Sequence, residues 1–391
     1  MKTIVIILIL ISISELSYTQ NSDDLVIAKR IKINSVLLNE DETVFVSVPK
    51  NYETSGKSYP VLYLLDGSET SISYATGLVK NLSDYEIIPE LIVVAIATKD
   101  RNRDYTPIKP NNFPDFVNVS TAGHADQFLS FIEKELFSYI DKNYRTIPYR
   151  IFAGHSFGGL CVTYAFVSHN NMFNSYIATS PSFGWYPNLI NGADDDKIAD
   201  LNLKKKQYFI SVAENEDPLF IKEVLSFSRT LKLKASPELN WKCSFIENED
   251  HMSQATIGLY NGLRFVYRGW RFDFETMKTR GLEYIKGFYQ NLTDLYGYEI
   301  LPKDNILNML GMEISHSGKQ DEAMKIFTYN TQIHPDCPES YSCLGMGYLQ
   351  AGNKELAVKD LTKAVELATK INDWNLERYK NQLEGAKAVK K

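Results

Sequence analysis

Cysteine is scarce in this chain: Cys161, Cys243, Cys337 and Cys343 are the four among 391 residues. None forms a C-x-x-C pair, so neither a zinc site nor a dithiol redox motif is written into the sequence. Free buried thiols are expected, because a chain of this length buries a core that needs no disulfide support. Cys337 and Cys343 are close enough in sequence to be worth testing as a bridge. Charge of one sign is lacking too. The net charge is −6, and the 23% of charged residues form no long run and no basic stripe. That argues against nucleic-acid or anionic-membrane binding and against disorder. Long apolar runs are also missing. The run Ile4 to Ile13 is too short for a bilayer span of ~20 residues. Lys2 precedes it, and small residues at Ser17 and Thr19 follow, just before Gln20. This is the order of a secretory signal peptide over residues 1–19, and it predicts a secreted or periplasmic protein. No cysteine at that junction would take a bacterial lipid.

What the chain has is apolar and aromatic residues, at 44% and 12%. Its length suggests about two domains. Short β-branched and aromatic runs at Val26 to Ile33, Thr43 to Val48 and Val61 to Leu65 predict strands. Leu91 to Ala97 is apolar throughout, as in a strand buried on both faces. Asp126 to Tyr144 carries Phe128, Phe131, Ile132, Leu136 and Tyr139 at helical spacing. Tyr149 to Ala153, Ser175 to Ala178, Tyr208 to Val212 and Trp241 to Ile246 complete eight strands. Strands interleaved with helices predict an α/β domain over residues 20–275, with a mostly parallel eight-stranded sheet covered on both faces.

Beyond a helical connection over 276–302 the pattern changes. Leu310, Gly311, Gly318, Ala323 and Phe327 recur 34 residues later as Leu344, Gly345, Gly352, Ala357 and Leu361. Ile333 recurs as Leu367 at the same shift. Small residues let paired helices approach, and Phe327 fills the groove between them. Residues 303–391 therefore look like tetratricopeptide repeats, whose period is about 34. Two repeats are few for an independent stack, so the helical tail Asn372 to Val389 is expected to cap them. Such repeats either dock a protein partner or buttress the domain before them.

The chemistry centres on Gly154-His155-Ser156-Phe157-Gly158. A predicted strand runs in and a predicted helix runs out, the context in which G-x-S-x-G makes a nucleophile elbow. Ser156 is the candidate nucleophile, and the Phe157 amide would face the developing oxyanion. A serine needs a base. Of the six histidines, His124 precedes the elbow and His155 adjoins the serine and should point elsewhere. His169 ends the elbow helix, and His316 and His334 lie in the repeats. His251 follows a late strand and is the candidate base. The acid should follow the preceding strand, where Glu214, Glu216 and Asp217 compete. Glu216 is preferred, then Asp217, then Glu214, with Asp250 an outside candidate. A second oxyanion amide is expected near Gly67. Tyr105, Phe183, Trp185 and Tyr186 fall on loops where they would stack a sugar or aromatic acyl group. Arg101 and Arg103 would face an anionic substrate, unless Arg103 pairs with Asp104 instead.

With these residues in hand, the chain resembles the esterase family that includes esterase D, feruloyl and acetyl xylan esterases and ferric enterobactin esterases. Five segments between Ile31 and Tyr267 carry the resemblance: Pro60 to Gly67, Arg103 to Pro107, the helix from Gly123 to Tyr144, Gly154 to Leu160, and Ser180-Pro181-Ser182. The resemblance implies an α/β-hydrolase fold, an acyl-enzyme, and no metal or cofactor. In related sequences a bulky residue and two tryptophans follow Ser-Pro-Ser. Phe183-Gly184-Trp185 has glycine in place of one tryptophan, which predicts a wider acyl pocket. The expected function is a serine carboxylic ester hydrolase for siderophore, feruloyl, acetyl or small acyl esters. The alternatives are a repeat-mediated binding protein with a vestigial hydrolase domain, and an acyltransferase of the same fold.

Overall fold

The computed structural model describes residues 25–110 and 119–389. The signal-peptide reading of residues 1–19 lies outside the described residues. Among these, eight strands form one sheet in the order β1-β2-β4-β3-β5-β6-β7-β8. The strands are β1 (Lys29–Ser35), β2 (Glu40–Ser47), β3 (Tyr59–Leu64), β4 (Ile92–Ile96), β5 (Thr146–His155), β6 (Ser175–Thr179), β7 (Gln207–Ala213) and β8 (Asn240–Ile246). β1 and β2 pair antiparallel, as do β2 and β4, and every pairing from β4 to β8 is parallel. All eight overlap the runs read from sequence, with ends that differ by up to three residues. β4 is buried at every position, as its unbroken apolar run requires when helices cover both faces.

Helices α1 (Tyr52–Ser55) and α2 (Glu69–Asp84) precede β4, and α3 (Arg101–Tyr105) follows it. α4 (Ala125–Phe131) and α5 (Phe137–Asn143) are joined by a π-helical turn, Ile132–Leu136, into the helix expected from Asp126 to Tyr144. α6 (Phe157–Ser168) leaves β5, and α7 (Asp195–Asp200), α8 (Pro218–Lys234) and α9 (Gln254–Val266) complete the domain. One apolar layer packs α4, α5, α6 and α8 on one face of the sheet, with Phe128, Phe152, Phe166 and Phe227 at its centre. The other packs α2 and α9 on the opposite face through Ile72, Val79, Ile177 and Leu263.

α10 (Phe274–Tyr296) leads into α11 (Asp304–His316), α12 (Gln320–Ile333), α13 (Pro338–Gln350), α14 (Lys354–Ile371) and α15 (Leu376–Ala388). Residues 34 apart play matching parts here. A Cβ on Gly311 would run into the Phe327 ring, and one on Gly345 would lie 2.8 Å from Leu361 Cγ. α15 closes the end of α14 through Leu361, Leu383 and Ala386. α10 joins the two parts of the chain. Leu292 and Tyr296 pack in the second layer of the sheet domain. Met277, Leu282 and Ile285 pack with α11 and α12. Phe288 and Tyr289 border both clusters. The four cysteines are all free. No helix among the described residues is long and apolar enough to cross a membrane.

Candidate active site

The site forms where the parallel strands end. β5 runs into Ser156, whose φ of 59° and ψ of −117° put a non-glycine residue in a strained left-handed conformation. Gly154 permits the turn, because a Cβ there would lie 2.5 Å from the Gly158 carbonyl carbon. α6 starts at Phe157, so its first amides have no carbonyl within the helix and carry the positive end of its dipole.

The strand ends bring Ser156, His251 and Glu216 together. Ser156 Oγ lies 3.0 Å from His251 Nε2, and His251 Nδ1 bonds Glu216 Oε1. The Glu216 side chain is 1% exposed. Its other oxygen accepts from Ser180 Oγ and, at 3.1 Å, from Gln254 Nε2. Glu214 and Asp217, the competing acids, turn elsewhere. Glu214 accepts the Asn248 amide at 3.0 Å, and Asp217 caps α8 by accepting the Leu219 amide at 2.8 Å. Asp250 accepts the Met252 and Ser253 amides within its own loop.

Several expectations change. The Gly67 amide donates to the Ile96 carbonyl at 2.7 Å, so it is already used and does not face an oxyanion. Close packing of the β3 loop on the end of β4 is the cause. Tyr105 is fully buried, packs on Phe128, and its hydroxyl accepts the Asp66 amide at 3.0 Å. It braces the loop below the serine instead of stacking a substrate. Arg103 bonds Asp104 and Glu40, which satisfies the guanidinium away from the site. Phe183 and Tyr186 are buried in the domain core. Gly184 lies against Glu223. Its amide donates to Glu223 Oε2 at 3.1 Å, and a Cβ on it would lie 3.3 Å from Oε1.

Trp185 does stand at the site, edge-on to Phe157 with ring centroids 4.6 Å apart. Arg101 reaches the same place. Its Nε lies 2.6 Å from Asp66 Oδ1, and its guanidinium carbon is 5.4 Å from the Phe157 ring centroid. Burial raises the Asp66 carboxyl, and the Arg101 partner opposes that shift. Sequence reading missed three neighbours. Phe220 lies against the His251 ring at 5.2 Å, Ser182 Oγ sits 3.2 Å from Ser156 Oγ, and Gln254 buttresses Glu216. Gln254 follows His251 closely in the chain, but nothing in its type signals that role.

The parallel sheet, the elbow at the end of β5 and the following helix define an α/β-hydrolase fold. The family described as "Putative esterase" matches residues 35–255, more than half of the chain, and the chain belongs to that family. Ferri-bacillibactin esterase BesA of Bacillus subtilis (strain 168) is 32% identical over 203 residues, 47% of this chain and 65% of that protein. The chain thus spans a little less than two thirds of that relative. A solved structure of an IroE-like serine hydrolase from Shewanella oneidensis superposes with a TM-score of 0.68 at 26% identity, over 78% of this chain and 99% of that one. An uncharacterised protein from Capnocytophaga ochracea DSM 7271 shares the fold over 93% of this chain and all of its own, with a TM-score of 0.66 at 16% identity.

Proposed function

We propose that the chain hydrolyses carboxylic esters through an acyl-enzyme on Ser156. The observation that carries this reading is the hydrogen-bonded sequence Ser156, His251, Glu216 on the elbow. His251 Nε2 takes the serine proton as Oγ attacks the ester carbonyl carbon. Glu216 holds the imidazole with its proton on Nδ1 and stabilises the imidazolium. The Phe157 amide donates to the oxyanion, an interaction of a kind worth about 10²–10³ in rate. The tetrahedral intermediate collapses, the C–O bond breaks, and the alkoxide leaves with the proton from His251. A water deprotonated by His251 then attacks the acyl-serine and releases the carboxylic acid.

The substrate we propose is a siderophore-type ester with an aromatic, oxygen-rich acyl group. Phe157, Trp185 and Phe220 gather around the serine and its base, and Arg101, paired with Asp66, lies over the Phe157 ring beside them. The name of the BesA relative points the same way. Purified protein is expected to cleave a catecholate trilactone faster than feruloyl or acetyl esters. Ser156→Ala should abolish hydrolysis of all three, and wild-type turnover by that variant would rule out the mechanism. The leader-like order of residues 1–19 supports export, which sequencing the mature N-terminus would check.

A further inference from the structure

The elbow carries a second histidine that this mechanism leaves idle. His155 directly precedes the nucleophile, and its Nε2 lies 2.6 Å from the main-chain carbonyl oxygen of His251. The two imidazole rings are 4.7 Å apart. Two neighbouring residues of one turn therefore hold His251 at two points. Ser156 meets its ring, and His155 meets its backbone.

We propose that His155 is a positioning residue, tying the main chain of His251 to the turn that carries the nucleophile. The proposal rests on the reading of Ser156 and His251 as nucleophile and base. The His251 ring is held by Ser156 and Glu216, and the main chain of its loop has bonds on either side of His251. The Asn215 amide donates to the Glu249 carbonyl at 3.0 Å, and the Asn248 amide donates to Glu214. Asp250 accepts the Met252 and Ser253 amides, each at 2.9 Å. None of these loop bonds reaches His251 itself. With the tether, the serine-to-imidazole distance is set inside one rigid turn, and a shift of the elbow carries the base along with it.

The charge state suits the task. Burial pulls the His155 imidazole down to about 4, and His251 and Arg101 reinforce the shift. His155 is then neutral wherever His251 works, and its Nε2–H donates to the carbonyl without adding charge. A cation at this distance would oppose the imidazolium that forms on His251. His155 also borders a cavity of about 160 Å³ lined by Ser68, Tyr74 and Leu259 among others. A shorter side chain would enlarge an existing space, so the fold should tolerate the change.

The test is a series at position 155, read by steady-state kinetics on a p-nitrophenyl ester, by the rate of fluorophosphonate labelling of Ser156, and by thermal melting. Glutamine carries an amide N–H about where Nε2 stands, whereas asparagine is one methylene too short. His155→Gln is expected to stay within about threefold of wild type. His155→Asn and His155→Ala should lose about 10- to 100-fold in kcat, the scale of a small misplacement of a catalytic group. Their labelling rates should fall in parallel, with KM and melting temperature little changed. Wild-type kcat in His155→Asn, or a His155→Gln as slow as His155→Asn, would overturn the tether. Ser156→Ala in the same series is expected to be inactive. Activity there would sink the nucleophile assignment and the proposal with it, whereas inactive Ser156→Ala beside fully active His155→Asn sinks the tether alone.

Discussion

Buried carboxylates in this chain divide by whether they found partners. Glu216 has hydrogen bonds on both oxygens, from His251, Ser180 and Gln254, which offsets the cost of enclosing a charge. Glu42 has none. It is 1% exposed, neither of its oxygens has a partner among the described residues, and burial pushes its carboxyl up to about 7, with Glu40 and Asp104 adding to the shift. Below the ordinary value of 4.5 both the folded and the unfolded chain hold the proton, and its titration adds no pH-dependent cost. Between 4.5 and about 7 the unfolded chain releases it first, so stability falls as pH rises, by up to about 3 kcal/mol. Above that the folded chain releases it too and the loss levels off. Glu42→Gln removes the titration. Its melting temperature should match wild type near pH 4 and exceed it increasingly up to pH 7, as thermal melts across that range would show. At this scale the sequence was legible where chemistry restricts choice. His251 could be reached by excluding five other histidines, and Ser156 by its glycines. Gln254, Phe220 and Ser182 could not, because their parts depend on contacts between segments that only the fold brings together. Tyr105 and Arg103 lie in a family-like segment, yet Tyr105 turns inward beneath Asp66 and Arg103 pairs with Asp104 and Glu40 away from the site.

Among the elements, the strands were legible because their apolar composition and burial have one cause. The unbroken run in β4 reflects helices on both of its faces. The kink in α10 was not legible. Gly281 adopts φ 75° and ψ −167° within that helix, a conformation that suits glycine. The helix restarts at Leu282, whose amide donates to Glu322 Oε1 of α12 at 2.7 Å. That bond also lowers the Glu322 carboxyl. The carboxylate acts as a borrowed cap, since Leu282 begins a new helical turn with no carbonyl before it. A Cβ at Gly281 would collide with this same carboxylate. Gly281→Ala should therefore cost roughly 1–3 kcal/mol through backbone strain and the displaced cap. Chemical denaturation would read the loss, and ester hydrolysis by the folded fraction should be unchanged, because the kink lies far in the chain from the strand ends that build the site.

Across the whole molecule the sheet domain and the C-terminal helices meet on α10. An aromatic group holds the near end: Tyr149 from β5 lies 5.4 Å from Tyr296, and Tyr296 donates its hydroxyl to the Val266 carbonyl at 3.0 Å. The far end packs with α11 and α12. The 34-residue period announced the C-terminal helices, and 276–302 read as their helical connection, but which residues of α10 meet each part depends on contacts that only the fold makes. Because its Phe288 and Tyr289 border both clusters, neither part can melt without uncovering side chains that the other needs. The chain should then unfold as one cooperative unit. Calorimetry is expected to give a single transition whose van't Hoff and calorimetric enthalpies agree, and two resolved transitions would show that the halves melt apart. With a single transition, heat takes the turn carrying Ser156 and the C-terminal helices together, so loss of ester cleavage on warming would report on helices far along the chain from that turn.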